Sequence, residues 1–281
     1  MKVIVTGGAG FVGFNLCKKL RDIGHHVISI DNYSTGSWNN HVTGVYYFNR
    51  DISNMEEIWG LFKDVDVVFH LAALARIQPS FDVPSEYFRS NVQGTLNLCE
   101  ICKKNHIPII FSGSSSHHSG KFKNPYTFTK DVSEETLTLY HKIYGLRQAI
   151  ARFYNVYGPN HIEEGEYATV IAKWDKAHRE KRPLTIYGNG SKERDFTHVD
   201  DIVDGLIKIW VTEQYGMIFE LGRGRKLSLK QVAELYQPSF GIVYENEKKG
   251  EAQSVECNAE IAKRYLNWEP KHNLEDWIKT K

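Results

Sequence analysis

Short apolar segments alternate with amphipathic ones through more than half of the 281-residue chain. Six of them have the length and the valine and isoleucine content of strands, at residues 3–5, 27–30, 45–48, 65–70, 107–111 and 148–152. Several are apolar at nearly every position, which is typical of strands buried on both faces of a parallel sheet. The pattern therefore predicts a parallel sheet in the first half of the chain.

Three longer segments between these strands place apolar residues three and four positions apart, which predicts amphipathic helices at 11–23, 85–105 and 126–144. Gly24 and Gly145 directly follow the first and third of these segments, where helices commonly end. Strands that alternate with helices through right-handed crossovers form a doubly wound α/β domain, the Rossmann arrangement.

After Pro159 the pattern changes to shorter, mixed elements. We predict elements at 167–180, 184–187, 200–211, 217–221, 228–236, 242–245 and 259–266. This change predicts two domains, a Rossmann domain over residues 1–160 and a smaller C-terminal α/β domain over 161–281. As an alternative, residues 217–222 rejoin the first sheet.

Charge and hydropathy narrow the classes of partner. Thirty-five Lys and Arg residues oppose thirty-four Asp and Glu residues, so the formal net charge is +1. This balance produces no field that would attract nucleic acid or an anionic membrane. No apolar run approaches the roughly 18 residues of a membrane helix, and glycines interrupt the apolar start of the chain. We therefore expect a soluble, cytoplasmic protein.

The cysteines and histidines indicate neither disulfides nor a metal. Cys17, Cys99, Cys102 and Cys257 are too few and too scattered for a disulfide framework, which fits a reducing cytoplasm. Cys99 and Cys102 form a C-x-x-C pair, but they lie within a predicted helix without a second pair, which favours core packing. The twelve histidines show no metal-ligand spacing, so we expect no metal.

A glycine-rich motif, TGGAGFVG at residues 6–13, directly follows the first predicted strand and begins the first predicted helix. It fits G-x-G-x-x-G through Gly8, Gly10 and Gly13, and G-x-x-G-x-x-G when Gly7 replaces Gly8. Glycines let the backbone turn tightly and approach a pyrophosphate, while the helix N-terminus offers unpaired N–H groups. The position after a strand makes the motif a strong indication of a dinucleotide site.

Asp31 ends the second predicted strand, 18 residues after Gly13. A carboxylate there can accept hydrogen bonds from both hydroxyls of an adenosine ribose, and it would repel a 2′-phosphate. The next residues, Asn32, Tyr33 and Ser34, offer no cation to hold such a phosphate. The sequence therefore predicts NAD rather than NADP.

Tyr126 and Lys130 are four positions apart in a predicted helix, so they share one face. A tyrosine phenol titrates near ~10 and is a poor base at neutral pH, but a nearby cation favours the phenolate. The pair is therefore a candidate acid–base centre. Tyrosine and lysine at this spacing also occur by chance on exposed helices.

Together these features strongly resemble the extended short-chain dehydrogenase/reductase family, in its branch of nucleotide-sugar epimerases and dehydratases. The resemblance spans nearly the whole chain. It rests on TGGAGFVG at 6–13, DN at 31–32, DI at 51–52, HLAA at 70–73, NVQGT at 91–95, YxxxK at 126–130, RFYNVYGP at 152–159 and RDFTHVDD at 194–201.

The resemblance implies which residues bind the dinucleotide. Asp51 and Ile52 would contact the adenine, residues 71–73 would line the cofactor, and Ser90 or Asn91 would approach it from the next helix. The whole set expected to bind the cofactor is Gly7, Gly10, Phe11, Val12, Gly13, Asp31, Asn32, Asp51, Ile52, Leu71, Ala72, Ala73, Ser90, Asn91, Tyr126, Lys130 and Tyr154.

The family also has a serine or threonine hydroxyl after the fifth strand, which hydrogen bonds the reacting sugar oxygen. Counting back from Gly120 assigns this role to Ser115, with Ser114 or a serine turn without a catalytic role as alternatives. Relatives carry a tyrosine where Ser119 stands, and a longer loop than the eleven positions between Ser115 and Tyr126. We therefore expect a more open pocket at the reacting end, or another segment that covers it.

Contacts to a sugar nucleotide follow from the same resemblance. Asn155 and Arg194 match residues that hold the diphosphate, and Tyr187 matches the aromatic residue beside the base. Relatives have Arg-x-Gly-Asp where this chain has Lys248-Lys249-Gly250-Glu251, so Lys248 and Glu251 are further candidates. Lysine lacks the planar fork of arginine, which weakens the expected grip on the diphosphate at this end.

Val255 is the candidate for control of the sugar's C2 group. It is the fourth residue after Glu251, at the place where a large tyrosine restricts related 4-epimerases to simple hexoses. A valine would leave room for an N-acetyl group. Alternatively, Val255 is an inward strand residue without this role.

The resemblance implies NAD-dependent 4-epimerisation of a nucleotide-diphospho-sugar, a UDP-hexose or UDP-N-acetylhexosamine. Tyr126 would remove the C4 hydroxyl proton, Lys130 would hold the cofactor ribose, and Ser115 would bond the developing oxyanion. The alternatives are a 4,6-dehydratase, a decarboxylase, a 4-keto reductase and a non-catalytic dinucleotide sensor. By resemblance, the helices at 85–105 and 126–144 would pair with a second copy in a homodimer.

Overall fold

The computed structural model of the chain describes residues 1–255 and 257–281. The strands in these residues are β1 (Lys2–Thr6), β2 (His26–Asp31), β3 (Tyr46–Asn49), β4 (Val67–His70), β5 (Ile109–Ser114), β6 (Gln148–Phe153), β7 (Asn155–Tyr157), β8 (Leu184–Tyr187), β9 (Glu193–His198), β10 (Ile218–Leu221), β11 (Lys226–Ser228) and β12 (Ile242–Glu245).

The helices in the same residues are α1 (Phe11–Asp22), α2 (Met55–Ile58), α3 (Ile77–Asp82), α4 (Pro84–Tyr87), α5 (Gly94–Asn105), α6 (Pro125–Tyr144), α7 (Val170–Arg179), α8 (Val199–Val211), α9 (Leu229–Leu235), α10 (Glu260–Leu266) and α11 (Leu274–Lys279). Short 3₁₀ turns lie at Trp59–Phe62 and Ser115–Ser119, and a π-helical turn lies at Phe88–Gln93.

A seven-stranded parallel sheet forms the centre of the fold, in the order β10-β6-β5-β4-β1-β2-β3. It confirms the doubly wound parallel fold and all six strands predicted in the first half. Residues Ile218–Leu221 rejoin this sheet beside β6, as the alternative for that segment proposed. The strand order reverses at β1, where folds of this type have a crevice for ligands at the carboxyl ends of the strands.

Helices cover the sheet on both faces. Leu16 of α1 and Leu206 of α8 pack on one face together with α10, and Leu98 of α5 and Leu137 of α6 pack on the other. Cys99 and Cys102 are buried in the second of these cores, as expected for packing residues. Because α8, β10 and α10 come from beyond residue 160, the division into domains 1–160 and 161–281 stays a prediction.

A third core lies beside the carboxyl edge of the sheet. It packs α7, α9 and α11 against the small sheets β11-β9-β7 and β12-β8, with Trp174, Leu184, Phe196 and Val232 at its centre. Only Tyr154 separates β6 from β7, so the chain passes directly from the large sheet into this core.

The structure also differs from the predicted elements. The helix predicted at 85–105 is divided into α4, the π-helical turn and α5, and sequence patterns miss β7, β9, β11, α2, α3 and α11. β9 was missed because it carries Glu193, Arg194 and Asp195, and such charged residues hide the alternation typical of a strand. No helix among the described residues is long and apolar enough to cross a membrane.

Candidate active site

A cavity of about 770 Å³ opens at the carboxyl edge of the large sheet, and the third core forms its opposite wall. Its lining includes the glycine motif, the ends of β2, β5 and β6, and parts of the segments at 162–171 and 248–255. Every residue predicted for the site lines this cavity except Asn91. The fold thus brings together groups that are far apart along the chain.

Asn91 lies behind the wall of the cavity. Its side chain accepts a hydrogen bond from the Leu74 N–H at 2.8 Å and donates to the Leu74 carbonyl at 3.2 Å and to Thr129 Oγ1 at 3.1 Å. Through these bonds the Asn91 amide holds the loop after β4 in place. Of the alternatives Ser90 and Asn91, it is Ser90, on the π-helical turn, that faces the cavity.

The glycine motif forms a close-packed turn before α1. Gly7 has a φ of +76°, and a Cβ there would lie 2.8 Å from the backbone nitrogen of Ala72. A Cβ on Gly13 would lie 2.0 Å from the carbonyl oxygen of Gly7. No side chain among the described residues caps α1, whose N-cap is Gly10. The loop and the free helix terminus therefore fit the pyrophosphate of a dinucleotide.

Two carboxylates stand beyond this turn. Asp31 accepts hydrogen bonds from the backbone N–H groups of Ala9 and Tyr33, and burial raises the pKa of its carboxyl. Burial also opposes the ionisation of Asp51, but hydrogen bonds from Ser53, Arg89 and Asn32 outweigh it and lower the pKa of Asp51 to about 2. Both are fixed acceptors on the wall where the adenosine half of a dinucleotide is expected.

Local sequence fixes the start of α6, the helix that carries the acid–base pair. Asn124 caps it by accepting a 2.8 Å hydrogen bond from the Thr127 N–H, and Pro125 occupies the first turn. Tyr126 and Lys130 follow one turn apart, and both line the cavity. The Lys130 ammonium donates to the carbonyl of Ser112.

The hydroxyl partner of Tyr126 is Ser114 rather than Ser115. Tyr126 Oη lies 3.2 Å from Ser114 Oγ, which also accepts a hydrogen bond from the N–H of Ser116. β5 ends at Ser114, so its side chain keeps the direction set by the sheet. Ser115 begins the 3₁₀ turn and lines the cavity without a hydrogen bond to the phenol. This contact favours Ser114, the alternative that the sequence left open, while the assignment of the sugar-oxygen contact to Ser115 stays a prediction.

Burial is the main cause of the pKa shifts of both Tyr126 and Lys130. Burial raises the pKa of the Tyr126 phenol, while the Ser114 hydrogen bond and the Arg76 charge oppose this rise. Burial also lowers the pKa of the Lys130 ammonium to about 7, against the opposing charge of Glu134. Arg76 is therefore a cation near Tyr126 that the sequence did not indicate, and the expected influence of Lys130 on the phenol stays a prediction.

At the far end of the cavity, the predicted substrate residues form a mixed cluster of charges. Arg194 lies 3.2 Å from Glu251, and Lys248 lies over the ring of Tyr187, 3.8 Å from its centroid. The Asn155 amide donates to the carbonyl of Asp195 at 3.1 Å, which ties β7 to β9. Cationic, aromatic and amide groups thus lie together where a nucleoside diphosphate could be held.

The segment around Gly250 packs against α3 and the start of α6. Gln78 donates to the carbonyl of Lys249 at 2.8 Å, and Asn124 donates to that of Gly250 at 3.3 Å. Gly250 has a φ of +79°, and a Cβ there would lie 2.9 Å from the ring of Phe81. These contacts favour cover by another segment, and the choice between an open and a covered pocket stays a prediction.

Sequence patterns missed two features of the site. Arg76, the N-cap residue of α3, reaches the cavity wall close enough to influence Tyr126. Behind the serine turn, His117 pairs with Asp131 at 2.9 Å and lies close enough to Asp131 and Glu134 for these three to share a metal ion. Both carboxylate oxygens of Glu134 already accept from Arg152, so the absence of a metal stays our prediction.

Residues 3–222 match the model of the NAD dependent epimerase/dehydratase family. A UDP-glucuronate 4-epimerase of Thermodesulfobacterium geofontis is 30% identical over 98% of this chain and 93% of its own. The structure of UDP-glucose 4-epimerase from Thermotoga maritima with UDP-glucose is 30% identical, with a TM-score of 0.94 over 99% of this chain and 96% of that one. A UDP-glucuronic acid 4-epimerase from Bacillus cereus, in complex with UDP-glucuronic acid and NAD, is 27% identical, with a TM-score of 0.89 over 99% and 97% of the two chains. Decarboxylases of UDP-glucuronic acid are among the further relatives.

Proposed function

The chain belongs to the NAD dependent epimerase/dehydratase family, and on this premise we propose that it is an NAD-dependent 4-epimerase of a UDP-linked hexose or N-acetylhexosamine. The observation that carries the proposal is the contact of Tyr126 with Ser114 at 3.2 Å, with Lys130 one turn further along the same helix. This arrangement fits proton transfer at a sugar hydroxyl placed between the phenol and the serine.

Three side chains have separate roles in the proposed reaction. Tyr126 removes the proton of the C4 hydroxyl and returns it at the end of the cycle. Ser114 donates a hydrogen bond to the oxygen that develops negative charge, in place of the Ser115 predicted from the sequence. Lys130 holds the cofactor ribose from the next turn of the same helix. NAD supplies the acceptor for the C4 hydride and its return to the opposite face, so the reaction has no net redox change.

The cofactor would lie along the carboxyl edge of the sheet. Its pyrophosphate would meet the turn at residues 7–13, its adenosine would meet Asp31, Asn32, Asp51 and Ile52, and its nicotinamide half would approach the wall made by residues 71–73 and Tyr154. The steric fit of the glycines and the free N-terminus of α1 support this placement. Residues 161–281 would contribute most of the substrate contacts.

The diphosphate of the substrate would replace contacts that the protein now makes with itself. Arg194 would exchange Glu251 for phosphate oxygens, while Lys248 would supply a second positive charge and Tyr187 an aromatic face for the base. Asn155 would add a polar contact from β7.

Elimination and decarboxylation are less well supported. The related branches place an acidic residue directly after the catalytic serine, and here Ser115 and Ser116 follow Ser114. The acids bonded around this turn, Asp131, Glu134 and Glu220, pair with His117, Arg152 and His118. The two positions after Ser114 therefore carry no carboxyl group.

A panel of UDP- and GDP-sugars tests the proposal, with products separated by chromatography and identified by NMR. We expect interconversion at C4 without accumulation of NADH. Products that lose water or carbon dioxide, or no product from any sugar, would refute it.

The same panel tests Val255 as the residue that controls the sugar's C2 group. Val255→Tyr should lower kcat/KM for UDP-N-acetylglucosamine more than for UDP-glucose. If the ratio of these two kcat/KM values were unchanged, Val255 would not control the C2 group.

A homodimer remains part of the proposal. Leu139, Ile143 and Tyr144 near the end of α6, and Phe88 on the π-helical turn, are large apolar residues exposed to solvent. A second copy would bury them. Light scattering should give twice the chain mass of 32.3 kDa, and a mass near 32.3 kDa at micromolar concentration would contradict the dimer.

A further inference from the structure

Arg76 is a half-buried cation on the cavity wall without a carboxylate partner among the described residues. Its Nε donates to the carbonyl of Tyr167 at 2.9 Å, which leaves four of the five guanidinium N–H groups without a described acceptor. Its charge acts on the phenols of Tyr126, Tyr87 and Tyr167. Arg194, by contrast, is paired with Glu251.

The backbone of Arg76 is held at the reacting end of the cavity. Tyr87 Oη donates to the carbonyl of Arg76 at 2.8 Å, and the ring of Tyr87 packs edge to face against that of Tyr126, with centroids 6.3 Å apart. The Nε bond to Tyr167 ties the guanidinium to the segment on the opposite wall. Arg76 is therefore fixed from both sides beside the residue proposed to act on C4.

Two lysines share the cavity wall with Arg76. Lys173 and Lys248 line the cavity, and burial and the charges of Lys248 and Arg76 lower the pKa of Lys173 against the opposing charges of Glu166 and Glu245. The acids on the adjoining segment are already occupied, since Glu163 pairs with Arg179 and Glu164 with Lys176. Glu166 is exposed. The diphosphate of any UDP-sugar would meet Lys248 and Arg194, so Arg76 is the cation near Tyr126 that a neutral sugar would leave without a carboxylate.

We propose that Arg76 is a specificity-determining residue that receives the carboxylate of a hexuronic acid in the UDP-linked substrate. A planar guanidinium matches a carboxylate with two parallel hydrogen bonds. In a hexuronic acid the carboxyl group is attached to C5, the carbon next to C4, so it lies beside the hydroxyl that Tyr126 would engage. This inference rests on the proposed function and narrows its substrate class to sugar acids.

Equilibrium binding tests the inference apart from turnover. In the Tyr126→Phe background with NAD, calorimetry would compare UDP-glucuronic acid with UDP-glucose, which differ only at C6. We expect UDP-glucuronic acid to bind roughly 10- to 100-fold more tightly, as is typical of a charged hydrogen-bonded pair. Arg76→Gln should remove this preference, and Arg76→Lys should keep part of it.

Arg194→Gln is the matched control, because a lost phosphate contact should weaken both ligands by the same factor. Equal affinities in the parent protein would overturn the inference. It would also be overturned if Arg76→Gln weakened both ligands equally, since Arg76 would then contact the shared diphosphate. Failure of the proposed function has a different signature, namely no interconversion at C4 of any UDP-sugar by the unaltered protein. Thermal unfolding and NAD affinity, measured for the Arg76 and Arg194 variants, verify that these variants fold.

Discussion

At the glycine-motif end of the cavity, backbone atoms shape the site, whereas at the substrate end, side chains from distant segments hold one another. Gly7 and Gly13 fit only because they lack a Cβ, and Asp31 is fixed by two N–H groups of neighbouring loops. Arg194 instead meets Glu251, 57 positions away along the chain. The first end is therefore preorganised for its ligand, while the second must exchange internal ion pairs for ligand contacts.

The acid–base residues lie between these two ends and depend on both kinds of construction. The cap by Asn124 and the turn spacing of Tyr126 and Lys130 are local to α6, but the contact of Tyr126 with Ser114 joins α6 to β5. Substitutions should therefore separate catalysis, cofactor binding and substrate binding from one another.

The largest expected effect is that of Tyr126→Phe on turnover. The phenylalanine keeps the ring that packs against Tyr87 but removes the oxygen that carries the proton, so kcat should fall by roughly 10³-fold. NAD affinity, measured by fluorescence titration, should stay within a few-fold of the parent value because the glycine turn is untouched. Near-normal epimerisation by this variant would eliminate Tyr126 as the base.

Ser114→Ala and Ser115→Ala form a matched pair one position apart. Ser114→Ala removes the hydroxyl bonded to Tyr126 and should lower kcat by roughly 100-fold, as for the loss of one donor to an oxyanion. Ser115→Ala should change kcat little. Steady-state kinetics would measure kcat for both variants. A larger loss of kcat in Ser115→Ala than in Ser114→Ala would support Ser115 as the serine that bonds the reacting oxygen.

Gly13→Ala should affect the cofactor end alone. The added methyl group meets the carbonyl oxygen of Gly7, so the turn must open, with a loss of ~1–3 kcal/mol in the free energy of unfolding and a clear loss of NAD affinity. UDP affinity, measured by calorimetry, should be retained. Gly60→Ala is the control, since a Cβ there meets no atom within 4 Å. If Gly13→Ala and Gly60→Ala lowered NAD affinity and the free energy of unfolding equally, the absence of a Cβ at Gly13 would not be required by the turn.

The smallest expected effect is the pH dependence of Asp51→Asn. Because the pKa of Asp51 is lowered to about 2 in the folded protein, the charged carboxylate stabilises the fold at pH values above its unfolded pKa. That contribution is lost as the pH falls through about 2. Urea unfolding should show that the variant and the parent differ by less than about 1 kcal/mol in the free energy of unfolding at pH 7. This difference should shrink as the pH falls below 5. A difference that grows on acidification would contradict the sign of the shift.

The parts predictable from the sequence are those whose causes are local. The six strands are recognisable because each is a short run buried on both faces, and the glycine motif because one tight turn requires it. Tyr126 and Lys130 were found from their spacing on one helix. The resemblance to a known family added residues such as Tyr187 and Arg194, which periodicity alone does not single out.

The parts that could not be predicted depend on contacts between distant segments. No sequence spacing indicates that Gln78 and Asn124 hold the Lys249–Gly250 backbone beside the start of α6. The choice between Ser114 and Ser115 depends on where β5 stops, and strand ends follow from packing rather than composition. Arg76 was missed because an arginine before a short helix is unremarkable until its neighbours in space are known.

The most direct test of the proposed reaction follows a deuterium label placed at C4 of the UDP-sugar substrate. If C4 is oxidised and the same hydride returns to the opposite face, the epimeric product should carry deuterium at C4, with none exchanged into water and no net NADH formed. Mass spectrometry and deuterium NMR of the separated product would measure this. Deuterium found at another carbon or lost to solvent, or an epimeric product with hydrogen at C4, would contradict the proposed reaction.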